Sequence, residues 1–390
     1  MSFDFDRVIP REGTASFKYD GRQQFIGRAD VIPLWVADMD FAAPDGVTQA
    51  LAQRAAHPIY GYSVYPESLY QSLMDWQRTR YGWEVPREQI VFCPGVVPSL
   101  HAAMLALCAP GEGVIVQPPV YPPFLAAPEI TGRTRVDNPL RFEAGRYFLD
   151  LDQLERCAAQ GARLLLLCTP HNPVGRVWER AELEALLDVC ARHDVTIVSD
   201  EIHADLTYPG VTHLPLADLA RGRVNVITAV APSKTFNIPG LGLSALVVPE
   251  AAQRAAIEKV FGLLHVSATN PFSITAFEAA YRTGAPWLAA LQAYLAGTRA
   301  LVRDFLDAQL PQIRLIEPEG TYLLWLDCRE MGLDDAQLKD FFVQQAGVGL
   351  SPGILFGPQG SGYMRMNIGA PRALIQEALE RIARAWKLRA

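Results

Sequence analysis

Between residues 89 and 249, short apolar runs alternate with helix-like stretches, and this alternation constrains the fold more than any other feature of the chain. The runs are QIVFCP (89–94), GVIVQPP (113–119), ARLLLLCTP (162–170), VTIVSDEI (195–202), VNVITAV (224–230) and LSALVVP (243–249). They are rich in Val, Ile and Leu and lack polar alternation, the signature of strands covered on both faces. Between two of them, ELEALLDVCARH sets Leu183, Leu186, Leu187 and Cys190 on one helical stripe. The pattern predicts an α/β fold built on a mostly parallel sheet with helices on both sides.

The flanks differ. The first forty-odd residues are rich in Pro, Gly and charge and read as an extended arm. Helical periodicity begins near Gly46 and is clear in ESLYQSLMDWQ, where Leu69, Tyr70, Leu73 and Met74 share a face. In PWLAALQAYLAGTRALVRDFLDAQL, Leu288, Leu291, Leu295, Thr298, Val302 and Phe305 recur at spacings of three and four. The segment is too short for a coiled coil and carries an interior Gly297, so one long helix is expected. Strand-like GTYLLWLD and GYMRMNIG and a final amphipathic helix through Ile375, Leu379, Ile382 and Trp386 complete the chain. The expected organisation is a large α/β domain over 45–285, with 1–44 and 286–390 forming a smaller α+β domain.

Composition limits the partners. The net charge of −7 over 390 residues, with no basic block, argues against a nucleic-acid backbone. The six cysteines have no C-x-x-C spacing, and four sit in apolar runs, which suits reduced buried thiols. The polar, acidic start MSFDFDRVIPREG is unlike a signal peptide, and no apolar run has the length of a membrane span. A soluble cytoplasmic protein that contacts no membrane is expected.

In open parallel sheets, ligands sit beyond the carboxyl ends of the strands. Here those ends carry Tyr121 in PVYPPF, Asn172 in TPHNPVG, Asp200 and His203 in DEIH, and Ser233 and Lys234 in APSKTF. After IVFC, a glycine turn opens directly into PGVVPSLHAAMLAL. A helix N-terminus offers amides and a favourable dipole to a phosphate. A carboxylate keeps a pyridine nitrogen protonated. An amide donates to a phenolate, an aromatic stacks on the ring, and an amine of depressed pKa condenses with an aldehyde. Pyridoxal 5′-phosphate (PLP) uses all of these groups. Each residue has an ordinary alternative (a cap, a turn residue, a solvated strand end, a core tyrosine), and the weight lies in their joint occurrence at successive strand ends.

With ADMDF (37–41), YGYS (60–63), PGVV (94–97), PPVY (118–121), PHNPVG (170–175), SDEIHAD (199–205), PSKTFN (232–237) and MRMNIG (364–369), the chain resembles, over essentially its whole length, fold-type I PLP enzymes of the class I/II aminotransferase superfamily. ADMDF, SDEIHAD and SKTFNIPGL resemble most the MalY/PatB group of cystathionine β-lyases, or carbon–sulfur lyases. The resemblance implies that Lys234 bonds the cofactor aldehyde and then moves protons. It pairs Asp200 with the pyridine nitrogen, Asn172 with the phenolate oxygen and Tyr121 with the ring face. The phosphate falls to Ser233 and the amides of Val96 and Val97. The same resemblance implies a homodimer in which Tyr62 reaches the partner subunit's phosphate. Arg365 would grip the carboxylate of a small amino-acid substrate in a bidentate fork, beside Tyr121 and Asn172.

Departures from the wider superfamily are Ala231 where a serine is common, Gly242 where a phosphate-binding arginine is common, and His203 where a tyrosine is usual. The phosphate is therefore expected to lean on the helix N-terminus, and His203, counted with the cofactor-binding residues, is expected to hydrogen-bond Asp200. GLGLSA (240–245) matches a dinucleotide fingerprint but is followed by a strand instead of a helix, which removes the nicotinamide reading. No metal-ligand spacing and no G-x-S-x-G elbow occur. The expected reaction is β-elimination from L-cystathionine or related cysteine S-conjugates. The alternatives are an aminotransferase for aromatic or other neutral amino acids, and a regulatory binding protein on the same fold.

Overall fold

The strand-like runs assemble into one seven-stranded sheet in a computed structural model that describes residues 3–389. Its strands are β1 (Ile90–Cys93), β2 (Gly113–Val116), β3 (Thr134–Asp137), β4 (Leu164–Cys168), β5 (Thr196–Asp200), β6 (Val226–Val230) and β7 (Ser244–Val247). They lie in the order β1-β7-β6-β5-β4-β2-β3. Only β7 runs against its neighbours, pairing antiparallel with both β1 and β6. Along β4, Leu164, Leu166 and Cys168 enter one apolar cluster while Leu165 and Leu167 enter another. Both faces of the pleat are therefore dry, which is why the run reads as continuously apolar. Helices Val96–Leu107 and Ala251–Leu263 cover one face, and Leu151–Ala159 and Arg180–Arg192 the other.

A second sheet holds β8 (Arg314–Ile316), β9 (Leu323–Asp327), β10 (Ser351–Pro352) and β11 (Tyr363–Asn367), antiparallel in the order β8-β9-β11-β10. The arm joins this side of the molecule through Ile32–Pro33, which pairs parallel with Val348–Gly349. The long helix runs from Ala285 to Gln309 and buries Leu288, Leu291, Leu295, Thr298 and Val302 as the spacing requires; Phe305 is half-buried and Leu306 takes the inner place. Gly297 has a packing reason: a Cβ there would stand 2.6 Å from Nη2 of Arg372, whose guanidinium lies over the Tyr294 ring.

All six cysteines are free and buried. Among the described residues, no helix is long and apolar enough to cross a membrane, and no cluster of metal-ligating side chains occurs.

Candidate active site

The strand ends β1, β4, β5 and β6 open onto one cavity of about 310 Å³. Tyr121, Asn172, Asp200, His203, Ser233 and Lys234 all line it, as do Val96 and Val97. Each stands where a strand releases its chain. Asp200 ends β5, Lys234 lies in the single turn Pro232–Thr235 after β6, and Asn172 follows β4. Tyr121 sits at the start of helix Pro122–Ile130, with its backbone N–H donating to the Asn172 carbonyl at 3.1 Å.

Gly95 makes the turn into helix Val96–Leu107 with φ of +117°, a region that glycine alone enters freely. The first amides of that helix have no intrahelical acceptor, and Val96 and Val97, which carry them, line the cavity. Position three is Pro98, which has no N–H to satisfy. Ser99 Oγ ties back to the Gly95 carbonyl at 2.7 Å and contacts Ser244 Oγ at 3.2 Å, fixing this corner.

Electrostatics separate the ionisable groups. Burial pushes the Asp200 carboxyl up to about 7, against the Ile202 amide and the Lys234 charge, both of which pull it down. Lys234 is lowered to about 8, first by burial and then by the Arg365 cation; Asp38 and Asp200 oppose the drop. Its Nζ donates to the Ala37 carbonyl at 2.6 Å. His203 falls to about 3 through burial and the two nearby cations, so its imidazole is neutral.

The expected hydrogen bond between His203 and Asp200 is not formed. Asp200 Oδ1 accepts from the Ile202 amide at 3.1 Å. The turn closed by Ala204 N–H on the Glu201 carbonyl carries the His203 ring toward Tyr322, with centroids 6.1 Å apart. His203 Nδ1 is buried without a partner.

Arg365, on β11, does not line the cavity itself but is joined to it through Asn172, which does. Its Nη1 donates to Asn172 Oδ1 at 3.1 Å and its Nη2 to the Trp35 carbonyl at 2.8 Å, while Nε is buried and unpartnered. Burial lowers it to about 10. Tyr62 does not line the cavity; it is fully exposed in a segment without helix or strand, beside exposed Ile59, Tyr60 and Val64.

Several groups around the site escaped sequence reasoning. Ala37 lines the cavity, and the Tyr322 hydroxyl donates to the same Ala37 carbonyl at 2.9 Å. Asn237 and Asn367 bind the backbone of the arm. Both asparagines stand inside motifs quoted above, PSKTFN and MRMNIG, and that was the available signal.

Comparison with known proteins agrees with this geometry. The family model for aminotransferase class I and II matches residues 29–382. The chain belongs to that family. Within it, the chain is 41% identical over 384 residues to the cystathionine β-lyase PatB of Bacillus subtilis, covering 98% of this chain and 99% of that protein. It is 34% identical to the protein MalY of Escherichia coli, covering 97% of each. A crystal structure of cystalysin from Treponema denticola, which contains a pyridoxal 5′-phosphate cofactor, superposes with a TM-score of 0.96 at 32% identity, covering all of both chains. The fold is thus fold type I of the PLP enzymes, and the particular branch is that of PatB and MalY.

Proposed function

We propose that this protein is a PLP-dependent carbon–sulfur β-lyase that cleaves L-cystathionine or related cysteine S-conjugates to pyruvate, ammonia and a thiol. The cofactor half rests on one observation: an amine lowered to about 8, a buried carboxyl and a neutral amide meet in one cavity at a helix N-terminus. The lyase half rests on likeness to the branch of PatB over nearly the whole chain.

The residues present fit PLP. Lys234 Nζ is close enough to neutral to attack an aldehyde near physiological pH. Asn172 Oδ1 is engaged by Arg365, which leaves the amide Nδ2 free to donate to a phenolate oxygen. Asp200, the buried carboxyl, would hold a proton on the pyridine nitrogen and would itself be ionised beside that positive charge. Val96 and Val97 give backbone N–H groups to the phosphate, and Ser233 gives its hydroxyl. Tyr121 covers the ring face. The bound cofactor supplies an electron sink that acidifies the substrate Cα proton and allows a thiolate to leave from Cβ.

Arg365 takes the substrate carboxylate in its planar fork and so orients the Cα–H bond toward Lys234. Lys234 Nζ removes the Cα proton and carries it while the thiolate departs.

The same reading assigns a homodimer. Ile59, Tyr62 and Val64 are exposed, as are Leu263 and Leu264, and the Tyr60 ring lies 5.7 Å from that of Phe272. A second copy covering these side chains brings Tyr62 to the partner's phosphate. We assign residues 45–285 to the cofactor-holding unit and residues 1–44 with 286–390 to the substrate-gripping one.

The test supplies L-cystathionine to the purified protein without a keto acid and follows pyruvate. Many equivalents per subunit are expected, because transamination without an acceptor stops after one half-reaction. No pyruvate with stoichiometric conversion of the cofactor to its amine form would indicate an aminotransferase. A protein that neither holds cofactor nor turns over would indicate a binding role alone.

A further inference from the structure

The two charged side chains on which substrate handling depends hang from a single stretch of backbone. Every carbonyl from Leu34 to Met39 accepts a hydrogen bond from outside the stretch. Leu34 takes the Asn367 N–H at 2.9 Å, and Trp35 takes Arg365 Nη2 at 2.8 Å. Ala37 takes Lys234 Nζ at 2.6 Å. Val36 and Asp38, on either side of Ala37, both take Asn367 Nδ2 at 2.6 Å. Met39 takes Asn237 Nδ2 at 2.9 Å.

The two asparagines grip from opposite sides. Asn237 stands three residues past Lys234 with φ of +55°, a region asparagine tolerates better than most residues. Besides Met39 it serves the Phe41 carbonyl at 2.7 Å, and its Oδ1 takes the Met39 N–H at 2.8 Å. Asn367 stands two residues past Arg365 and is fully buried. Its Oδ1 takes the Gly369 N–H at 2.7 Å. On the far side of the strap, Arg11 pairs with Asp38 at 2.7 Å and with Asp40 at 2.6 Å, and the buried Lys18 pairs with Asp40 at 2.9 Å.

We propose that residues 34–41 form a strap that fixes the spacing between Lys234 and Arg365, and that Asn237 and Asn367 are positioning residues acting through it. A substrate held by its carboxylate at Arg365 presents its Cα proton to Lys234 only if that spacing is kept. The inference rests on the PLP reading given above. It goes beyond that reading because each asparagine governs the end of the site it does not touch.

The experiment uses the holoenzyme with Asn237→Ala and Asn367→Ala, and two readouts that need no turnover. The pH midpoint of the lysine-bound cofactor's absorption change reports Lys234, which is faced by Arg365, Asp38 and Asp200. The dissociation constant of propionate, a carboxylate without an amino group, reports Arg365. The expected result is crossed. Asn367→Ala moves the absorption midpoint by about half a pH unit or more. Asn237→Ala weakens propionate by roughly fivefold, the scale of one lost hydrogen bond. Asn367→Ser, which keeps one donor, gives intermediate values and serves if the alanine variant does not fold. Effects confined to each variant's own side, or a lowered Tm with both readouts unchanged, would overturn the strap. Absence of any cofactor band in the unsubstituted protein would instead overturn the PLP reading, and the strap's function with it.

Discussion

The two places assigned to anions, one in the cavity and one beside it, offer opposite means of holding them. At the end assigned to the phosphate, Gly95, Val96, Val97, Ser233 and Ser244 offer amides and hydroxyls, with no arginine among them. At the end assigned to the substrate carboxylate stands one buried guanidinium, Arg365, whose Nε lacks a partner. A resident group can be held by many neutral dipoles plus a covalent bond, since it does not leave. A guest that must arrive and depart in every cycle is served by one charge-assisted fork, which is strong and can be broken in a single step.

The comparison is most sharply tested by removing what lies between the ends. Lys234→Ala should lower turnover by roughly a thousandfold or more and abolish the absorption band of the lysine-bound cofactor. Persistent turnover would end the assignment. Next in size, Arg365→Lys should lower kcat/KM for cystathionine by about a hundredfold, because an ammonium cannot reproduce the planar fork. Cofactor affinity measured on the same variant should fall by much less, through the support Arg365 gives Asn172; an equal loss there would mean that the two ends are not separate.

Ser233→Ala probes the neutral end. Cofactor affinity should fall by about fivefold with KM unaltered, as one donor among several is lost. The last effect is one of rate against pH and needs no substitution. Capture of PLP by the cofactor-free protein requires neutral Lys234, lowered to about 8. The capture rate should therefore rise by about tenfold per pH unit below that value and level off above it. A flat profile between about pH 6 and 8 would show that Lys234 is not the limiting group.

The side chains assigned to the cofactor ring were far more legible in the sequence than the strap. Asp200, Lys234 and Asn172 are chemically distinctive side chains placed just after apolar runs, and the sheet's topology does the rest. All six long runs became strands, because strands buried on both faces need uninterrupted apolar residues. Strand β3, Thr134–Asp137, escaped notice since it lies at the sheet's edge and reads TRVD, half polar and exposed to water. The reversed direction of β7 was also hidden, since a strand's composition says nothing about which way it points. The strap was invisible for a different reason. Its bonds go to main-chain carbonyls, which every residue possesses, so no residue type at 34–39 announces them. His203 shows a further limit: the motif brought it to the cavity, but the turn after β5 decided that its ring would meet Tyr322 instead of Asp200.

The buried cysteines have a consequence for an enzyme whose product is a thiol. Disulfides formed when such thiols are oxidised would exchange with any accessible cysteine thiolate of the catalyst, leaving a mixed disulfide and releasing one thiol. Here every sulfur is enclosed, and burial raises Cys93 and Cys190 to about 12 and Cys108 to about 11, far from the reactive anionic form. Even Cys168, which borders the cavity, turns its hydrogen to the Pro170 carbonyl and is held protonated by its surroundings. The folded enzyme is thereby guarded against poisoning by its own output.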